Sequence, residues 1–352
     1  MAVAPALPAR AYTQAEITAA LLVMITTDPG RQAVMKRIHA SSGVETRNLV
    51  MPLEQYSTIA SFRESNDFFI AEGTTLAERA LGDALAIAGL QASDVDFLLF
   101  TSVTGIAAPS IDAQLVSRLG LRPDVKRLPS FGLGCVAGAA GIARVHDYLV
   151  GHPNEVAVLL SVELCSLTVQ ASDDSMANIV ASGLFGDGAA AVVMVGDSRA
   201  QQLGIGGPEV VDTRSRIYPD THDVIGWDIG GTGFRIVLSA GVPDVIDRNF
   251  AGDARGLLER HGLTIADVGV WAAHPGGPKV LEAFSRALEL PAGALDASWR
   301  SLARVGNLSS AAVLHVLAEL MDTHPTHGTN GLLFALGPGV TAELVLLRWA
   351  DE

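Results

Sequence analysis

Cys135, His274 and Asn307, in that order along the chain, are residue types suited to nucleophilic chemistry through a thiol. Cys135 lies in SFGLGCVAGAAGIARVHDYLVG, with Gly132 and Gly134 before it and an Ala- and Gly-rich helical run after it. Glycines there permit a tight strand-to-helix turn, and small residues let a buried helix pack closely. A thiol at a helix start faces unpaired backbone N–H groups and the positive end of the helix dipole, and both favour the thiolate. The alternative for such a residue is a small hydrophobe filling core space. Cys165, in LLSVELCSLTV, has neither a glycine turn nor a helix start and reads as structural or pocket-lining.

His274, in VGVWAAHPGGPKVLEAF, ends an apolar run and precedes a Pro-Gly-Gly turn and a helical run, a position that faces a cleft. The other histidines, His152 and His324 among them, sit in polar stretches and read as surface residues. Asn307, in RVGNLSSAAVLHVL, has the competing role of a helix N-cap, which suits Asn well.

The elements that must position these groups alternate between apolar strand-like runs and small-residue helical runs. Strands are expected over 95–103, 156–162, 189–195, 233–238, 268–273, 331–336 and 342–349. They are short, continuous and apolar, as strands covered by helices on both faces should be. Such alternation argues for layered α/β architecture. A weak internal repeat adds to this. Gly89-Leu90 with Asp94-Val95 recurs as Gly262-Leu263 with Asp267-Val268, an offset of 173 (262 − 89). Gly134-Cys135 against Gly306-Asn307 gives 172 (307 − 135). Duplication makes Cys135 and Asn307 equivalent helix starts, and groups at such loop ends converge between the two halves.

The bulk numbers narrow the class. At 352 residues, 49% hydrophobic and 18% charged, the chain can bury a large core. No apolar run of membrane-spanning length is present, and Met1 to Thr13 lacks the pattern of a signal peptide. Two cysteines cannot form a disulfide framework and point to a reducing, cytoplasmic setting. A formal net charge of −14 argues against a nucleic-acid surface. The lysines are Lys36, Lys126 and Lys279, so an anionic ligand must meet a local basic cluster.

The blocks GLGCVAGAAG, LFGDGAAAVV, HPGGPKVLEAF, GNLSSAAVL and LGPGVTAE, in that order, resemble the signature of the chalcone and stilbene synthase superfamily, the type III polyketide synthases. The resemblance covers essentially the whole chain. It implies a thiolase-like α/β fold, duplicated into five αβαβα layers, with halves at residues 1–205 and 206–352, working as a homodimer. It implies that Cys135 takes the acyl group of a starter acyl-CoA, with His274 as ion-pair partner. His274 and Asn307 then donate to the thioester oxygen of a malonyl-CoA or methylmalonyl-CoA extender as CO₂ leaves and an enolate forms. No metal or redox cofactor is implied.

Further positions follow from the same resemblance. Phe185 matches a gatekeeping aromatic, and a second gate falls on Ile236, or on Phe234 if the alignment shifts by two. Ala108 stands in the loop that reaches the partner subunit's cavity. Cys165, Thr168, Trp227 and the Gly337-Pro338-Gly339 turn fall on pocket positions. Arg37, Lys36, Lys279 and Ser309 fall on CoA-contacting positions, whereas two family lysine positions become Val34 and Ser41. Val103 stands where tetrahydroxynaphthalene synthases carry an additional cysteine, which argues against that product. Trp227 replaces a cavity glycine, and WDIGGTGFRIVLSAGVPDVI is similar to bacterial alkylresorcinol, alkylpyrone and germicidin-type synthases. The expectation is a fatty acyl-CoA starter and an alkylpyrone or alkylresorcinol product.

Rival classes are a ketoacyl-acyl-carrier-protein synthase of the third type, disfavoured by HPGGP, and a thiolase, which needs a second catalytic Cys. A papain-like hydrolase shares the Cys, His, Asn order but belongs to a disulfide-bearing, secreted context. A non-catalytic acyl-CoA-binding protein is the reading from a different class.

Overall fold

The apolar residues of each strand fall into two sets, and the period of two decides which helices each set meets. The structure is a computed structural model and describes residues 1–350. Its first half contains β1 (Ala2–Ala6), β2 (Arg10–Thr13), β3 (Thr46–Leu49), β4 (Phe97–Thr101), β5 (Lys126–Ser130), β6 (Val156–Leu164) and β7 (Asp187–Val195). Its second half contains β8 (Pro208–Ile217), β9 (Ile225–Gly230), β10 (Gly233–Leu238), β11 (Val268–Ala273), β12 (Asn330–Gly337) and β13 (Thr341–Trp349).

The first sheet has the order β1-β7-β6-β4-β5 and the second β11-β12-β13-β8. Their pairings repeat: β6 is parallel to β4 and antiparallel to β7, just as β12 is parallel to β11 and antiparallel to β13. β1 pairs antiparallel with β7, as β8 does with β13. The repeat read from glycine and aspartate spacing is therefore a repeat of four paired strands, with β5 added at one edge.

Val158, Leu160 and Val162 of β6 pack outward with Ala77, Ala80 and Leu81 of the helix Phe62–Ala88. Leu159, between them, faces inward with Ile142 and Val313. On the far sheet Leu333 and Ala335 join that inner cluster, while Leu332, Phe334 and Leu336 pack outward on Phe250 and Phe284. The outer cover there is the helices Val242–Glu259 and Pro278–Leu288. The result is the five-layer αβαβα stack of the thiolase-like fold.

The central layer is the pair of helices Ala137–Gly151 and Ala312–Met321, the first of each half to follow Cys135 and Asn307. Their approach explains the small residues: a Cβ on Gly138 would lie 2.3 Å from the Ser310 carbonyl oxygen.

One expected strand has a different role. Residues 233–238 form β10, but it pairs only with β9 in a separate two-stranded ribbon and is not a core strand between helical layers. Ile225, Trp227 and Ile229 share one face of that ribbon with Phe234, Ile236 and Leu238, while Asp228 and Arg235 take the other. Six strands were not expected, β1, β2, β3, β5, β8 and β9. β5, with the sequence KRLPS, is a largely exposed edge, so no buried face imposes an apolar pattern on it.

Candidate active site

Cys135 occupies a 3₁₀ turn, Gly134–Val136, between the end of β5 and the central helix Ala137–Gly151. Gly134 has φ +55°, and a Cβ there would lie 2.7 Å from Pro338, so the turn that carries the thiol is pressed against the Gly337-Pro338-Gly339 turn of the other half. The thiol is half-buried and donates to Ser309 Oγ at 3.6 Å. Burial pushes its pKa up to about 12, a nearby Glu163 charge adds to the rise, and the Ser309 and Asn307 side chains only partly oppose it. The thiolate expected from the helix start is thus not favoured in the free chain. Lost hydration outweighs the partial charges of the turn.

Asn307 is held on both backbone sides by the strand-like bridge it makes with Phe185. Its N–H donates to Leu184 O at 2.8 Å, and its carbonyl accepts from Gly186 N–H at 3.0 Å. Its side-chain Oδ1 accepts from Ser309 N–H at 2.8 Å, a local turn cap. That leaves Nδ2 as the free donor, reaching Gly276 O at 3.4 Å and directed also at the thiol.

His274 ends β11, its N–H donating to Phe334 O at 2.9 Å. It is buried, and burial lowers its pKa to about 3, so the imidazole is neutral. Its Nδ1 has no hydrogen-bond partner among the described residues. Gly276 lies against the ring: a Cβ there would sit 3.4 Å from Cδ2. Gly276 therefore touches His274 and accepts from Asn307, and Asn307 holds the Ser309 that meets Cys135. The three residues singled out from sequence are linked by this chain of contacts at the seam of the two halves.

A cavity of about 400 Å³ opens beside this seam. Its walls include Val103, Phe131, Ile225, Trp227, Pro338 and Gly339, and Gly132 brings it to the turn that carries Cys135. Trp227, Pro338 and Gly339 are among its walls, whereas Gly337 packs behind the turn on Leu133. Cys165 and Thr168 are not among its walls. Cys165 is buried in a 3₁₀ turn after β6, and Thr168 donates to its carbonyl at 2.8 Å. Phe185 packs into the outer core of the second half, and Ala108 is exposed on the flank by β5. Of the two gate alternatives, Phe234 is the buried one, its ring 5.3 Å from Phe62, 5.9 Å from Phe131 and 6.2 Å from Trp227. Ile236 is half-buried on the same ribbon face, opposite Trp227.

Lys36 and Arg37 are exposed on the helix Pro29–Ala40, and Lys279 is exposed at the start of the helix Pro278–Leu288. A Cβ on Gly43, in the loop after the first helix, would lie 3.4 Å from Pro278 at the start of the second. Ser309 is not with them. It is buried at the thiol with φ +50°, a strained backbone for a serine.

Sequence reasoning missed Glu163, which is buried on β6 and accepts from Val103 N–H at 3.1 Å, Thr104 Oγ1 at 2.9 Å and Ser310 Oγ at 2.5 Å. Burial raises its pKa. The available signal was an acid interrupting the otherwise apolar run VAVLLSVEL. Also missed were the buried His39 and His222, which lines the cavity. Among the described residues no group of three or more His, Cys, Asp or Glu could hold a metal ion, and no helix is long and apolar enough to cross a membrane.

The family models for the N- and C-terminal domains of chalcone and stilbene synthases match residues 1–198 and 209–350. The chain belongs to that family, the type III polyketide synthases. It is 55% identical over 350 residues to 1,3,6,8-tetrahydroxynaphthalene synthase of Streptomyces peucetius subsp. caesius, covering 99% of this chain and 92% of that protein. It is 31% identical to the alpha-pyrone synthesis polyketide synthase-like Pks18 of Mycobacterium tuberculosis, covering 91% of this chain and 83% of that one. The crystal structure of 1,3,6,8-tetrahydroxynaphthalene synthase from Streptomyces coelicolor superposes with a TM-score of 0.93 at 32% identity, covering 99% of each chain. As a member of this family the chain is a condensing enzyme of the acyltransferase class.

Proposed function

We propose that the chain builds a polyketide on Cys135 from malonyl-CoA units and closes it to a polyhydroxylated aromatic of the tetrahydroxynaphthalene class. The condensing chemistry rests on the contact chain Cys135–Ser309–Asn307–Gly276–His274 beside an apolar cavity. The choice of product class is supported by the 55% identity to the Streptomyces peucetius enzyme, which outweighs Val103 at the position where the family resemblance places a cysteine for that product.

In this reading Cys135 gives its proton to neutral His274 and attacks the thioester carbon of an acyl-CoA. The C–S bond to CoA breaks, and the CoA thiolate takes the proton as it leaves. A malonyl-CoA then binds with its thioester oxygen on the Asn307 amide and the His274 N–H. Loss of CO₂ leaves an enolate on that oxygen, and the enolate carbon attacks the acyl-Cys carbonyl. The C–S bond to Cys135 breaks, the Cys135 thiolate leaves, and the lengthened chain remains on the extender's CoA. Donors fixed in place before the charge develops make this step fast, each worth about 10²–10³ in rate. The steps require no metal or redox cofactor. Lys36, Arg37 and Lys279 would meet the CoA phosphates.

A second reading keeps the chemistry but starts from a fatty acyl-CoA and ends at an alkylpyrone or alkylresorcinol. The apolar Val103, Phe131, Ile225 and Trp227 walls and the relationship to Pks18 favour it. The homodimer is supported by edge strand β5, with Leu128 on it and Ile106 and Phe131 beside it about half exposed.

The test is purified protein with labelled malonyl-CoA, alone and with acyl-CoAs of increasing length, products resolved by mass spectrometry, beside Cys135→Ala. Aromatics from malonyl-CoA alone support the first reading. Products only from aliphatic starters carry the second instead. Activity only with acyl-carrier-protein substrates would move the chain to the fatty-acid class.

A further inference from the structure

Among the described residues a single arginine is buried, and it lies under the candidate site. Arg47, on β3, is 2% exposed. Its Nη1 donates to Ser182 O at 2.8 Å and to Phe185 O at 2.7 Å, and its Nη2 donates to Gln14 Oε1 at 2.7 Å. Ser182 lies in the last turn of the helix Met176–Leu184 and Phe185 is its C-cap, so the fork satisfies carbonyls near a helix end that have no partner within the helix. Gln14 extends the clamp by donating to Gly183 O at 2.7 Å.

This cation is not part of a close ion pair. Among the described residues no carboxylate forms a salt bridge with it, and nearby Asp187 accepts from Ser166 N–H and Oγ and from Val50 N–H. Burying a charge without such a partner is costly, so its place calls for a structural reason. Burial lowers its pKa to about 10, with Asp187 opposing the shift.

The reason lies one step further along the backbone. Phe185 is bridged to Asn307 by Asn307 N–H to Leu184 O at 2.8 Å and Gly186 N–H to Asn307 O at 3.0 Å. The Arg47 stem also fills the space beside Gly306, where a Cβ would lie 3.0 Å from its Cγ and Cδ. Arg47 thus touches the segments on both sides of the bridge.

We propose that Arg47 is a positioning residue: by clamping the carbonyls of Ser182 and Phe185 it fixes the Phe185–Asn307 bridge, and through it the carboxamide that meets the extender thioester. This rests on the reading of Asn307 as donor to the developing enolate. The thiol of Cys135 is carried by a different segment and meets Asn307 only through Ser309 and the amide Nδ2. Its acylation therefore depends on the clamp less than extender activation does.

That separation supplies the test. Two half-reactions are followed in Arg47→Lys and Arg47→Met: transfer of an acyl group from acyl-CoA to Cys135, read by intact-protein mass, and release of CO₂ from malonyl-CoA alone. Lys keeps the charge and most of the stem but has no planar fork to hold two carbonyls and Gln14 together. Misplacing a catalytic group by about 1 Å costs about 10²-fold, so CO₂ release is expected to fall by that order while acylation falls by less than about tenfold. Faster amide hydrogen exchange at 185–186 and 307 should accompany the loss. Parallel loss of both half-reactions would make Arg47 a general support and overturn the proposal, as would no loss in either. If Arg47→Met does not fold, Arg47→Lys decides, and failure of that variant to fold also overturns it. Unmutated protein that neither acylates nor releases CO₂ would sink the condensing-centre reading itself.

Discussion

Gly306 immediately precedes Asn307, and replacing it with alanine perturbs the seam without removing a polar side chain. Its backbone has φ +72° and ψ −164°, a region that L side chains rarely adopt. Holding a non-glycine residue there costs about 1–3 kcal/mol. The added methyl would also lie 2.5 Å from the Leu184 carbonyl oxygen and 3.0 Å from Arg47, so backbone or guanidinium must shift. Overpacking of that kind adds about 1–3 kcal/mol, for a total of roughly 2–6 kcal/mol. Against a typical unfolding free energy of about 5–15 kcal/mol, that is a large share. Urea unfolding of Gly306→Ala beside Gly82→Ala would measure it. Gly82 lies in the helix Phe62–Ala88 with nothing within 4 Å of an added Cβ, so that control should gain about 0.5–1 kcal/mol. A Gly306→Ala variant destabilised by less than about 0.5 kcal/mol would refute the packing argument, since that is the range of ordinary surface changes.

Two further outcomes follow from burial. Because the Cys135 thiol is pushed up to about 12, its alkylation by iodoacetamide in the free protein should keep rising about tenfold per pH unit from about pH 8 to 10. A plateau near neutrality would show instead that a thiolate–imidazolium pair forms before substrate binds. His315, whose Nε2 meets the Ala189 carbonyl at 2.9 Å, has its pKa lowered by burial from 6.5 to about 4. The unfolded chain takes up that proton below pH 6.5 and the folded chain does not, so this group removes stability as pH falls from 6.5 to about 4. His315→Gln keeps a donor for the carbonyl and should make the acid limb of a stability-against-pH curve shallower by about 1.4 kcal/mol per unit. An unchanged limb would contradict the assigned burial.

The layered fold and the three linked residues were legible because glycine turns and buried apolar strands leave local marks. Cys135 and His274 each stand beside glycines that the tight turns require, and β6, β7, β12 and β13 are apolar because helices cover both faces. What stayed hidden depends on groups far apart in sequence. Nothing near Arg47 in ETRNL tells that its guanidinium reaches carbonyls at 182 and 185. The raised thiol of Cys135 is set by the second half closing over it, which a local helix-start argument omits. Pocket residues were the least legible. Cys165 belongs to the core, and the ribbon β9–β10 supplies walls through a pairing of its own, outside both main sheets.

Cys135 as the acyl carrier is tested most directly by mixing the protein with an acyl-CoA and locating the adduct by peptide mass spectrometry. The expected result is one acyl group on Cys135, discharged into product when malonyl-CoA is added and absent from Cys135→Ala. An adduct at another residue, or product formed by Cys135→Ala, would contradict it.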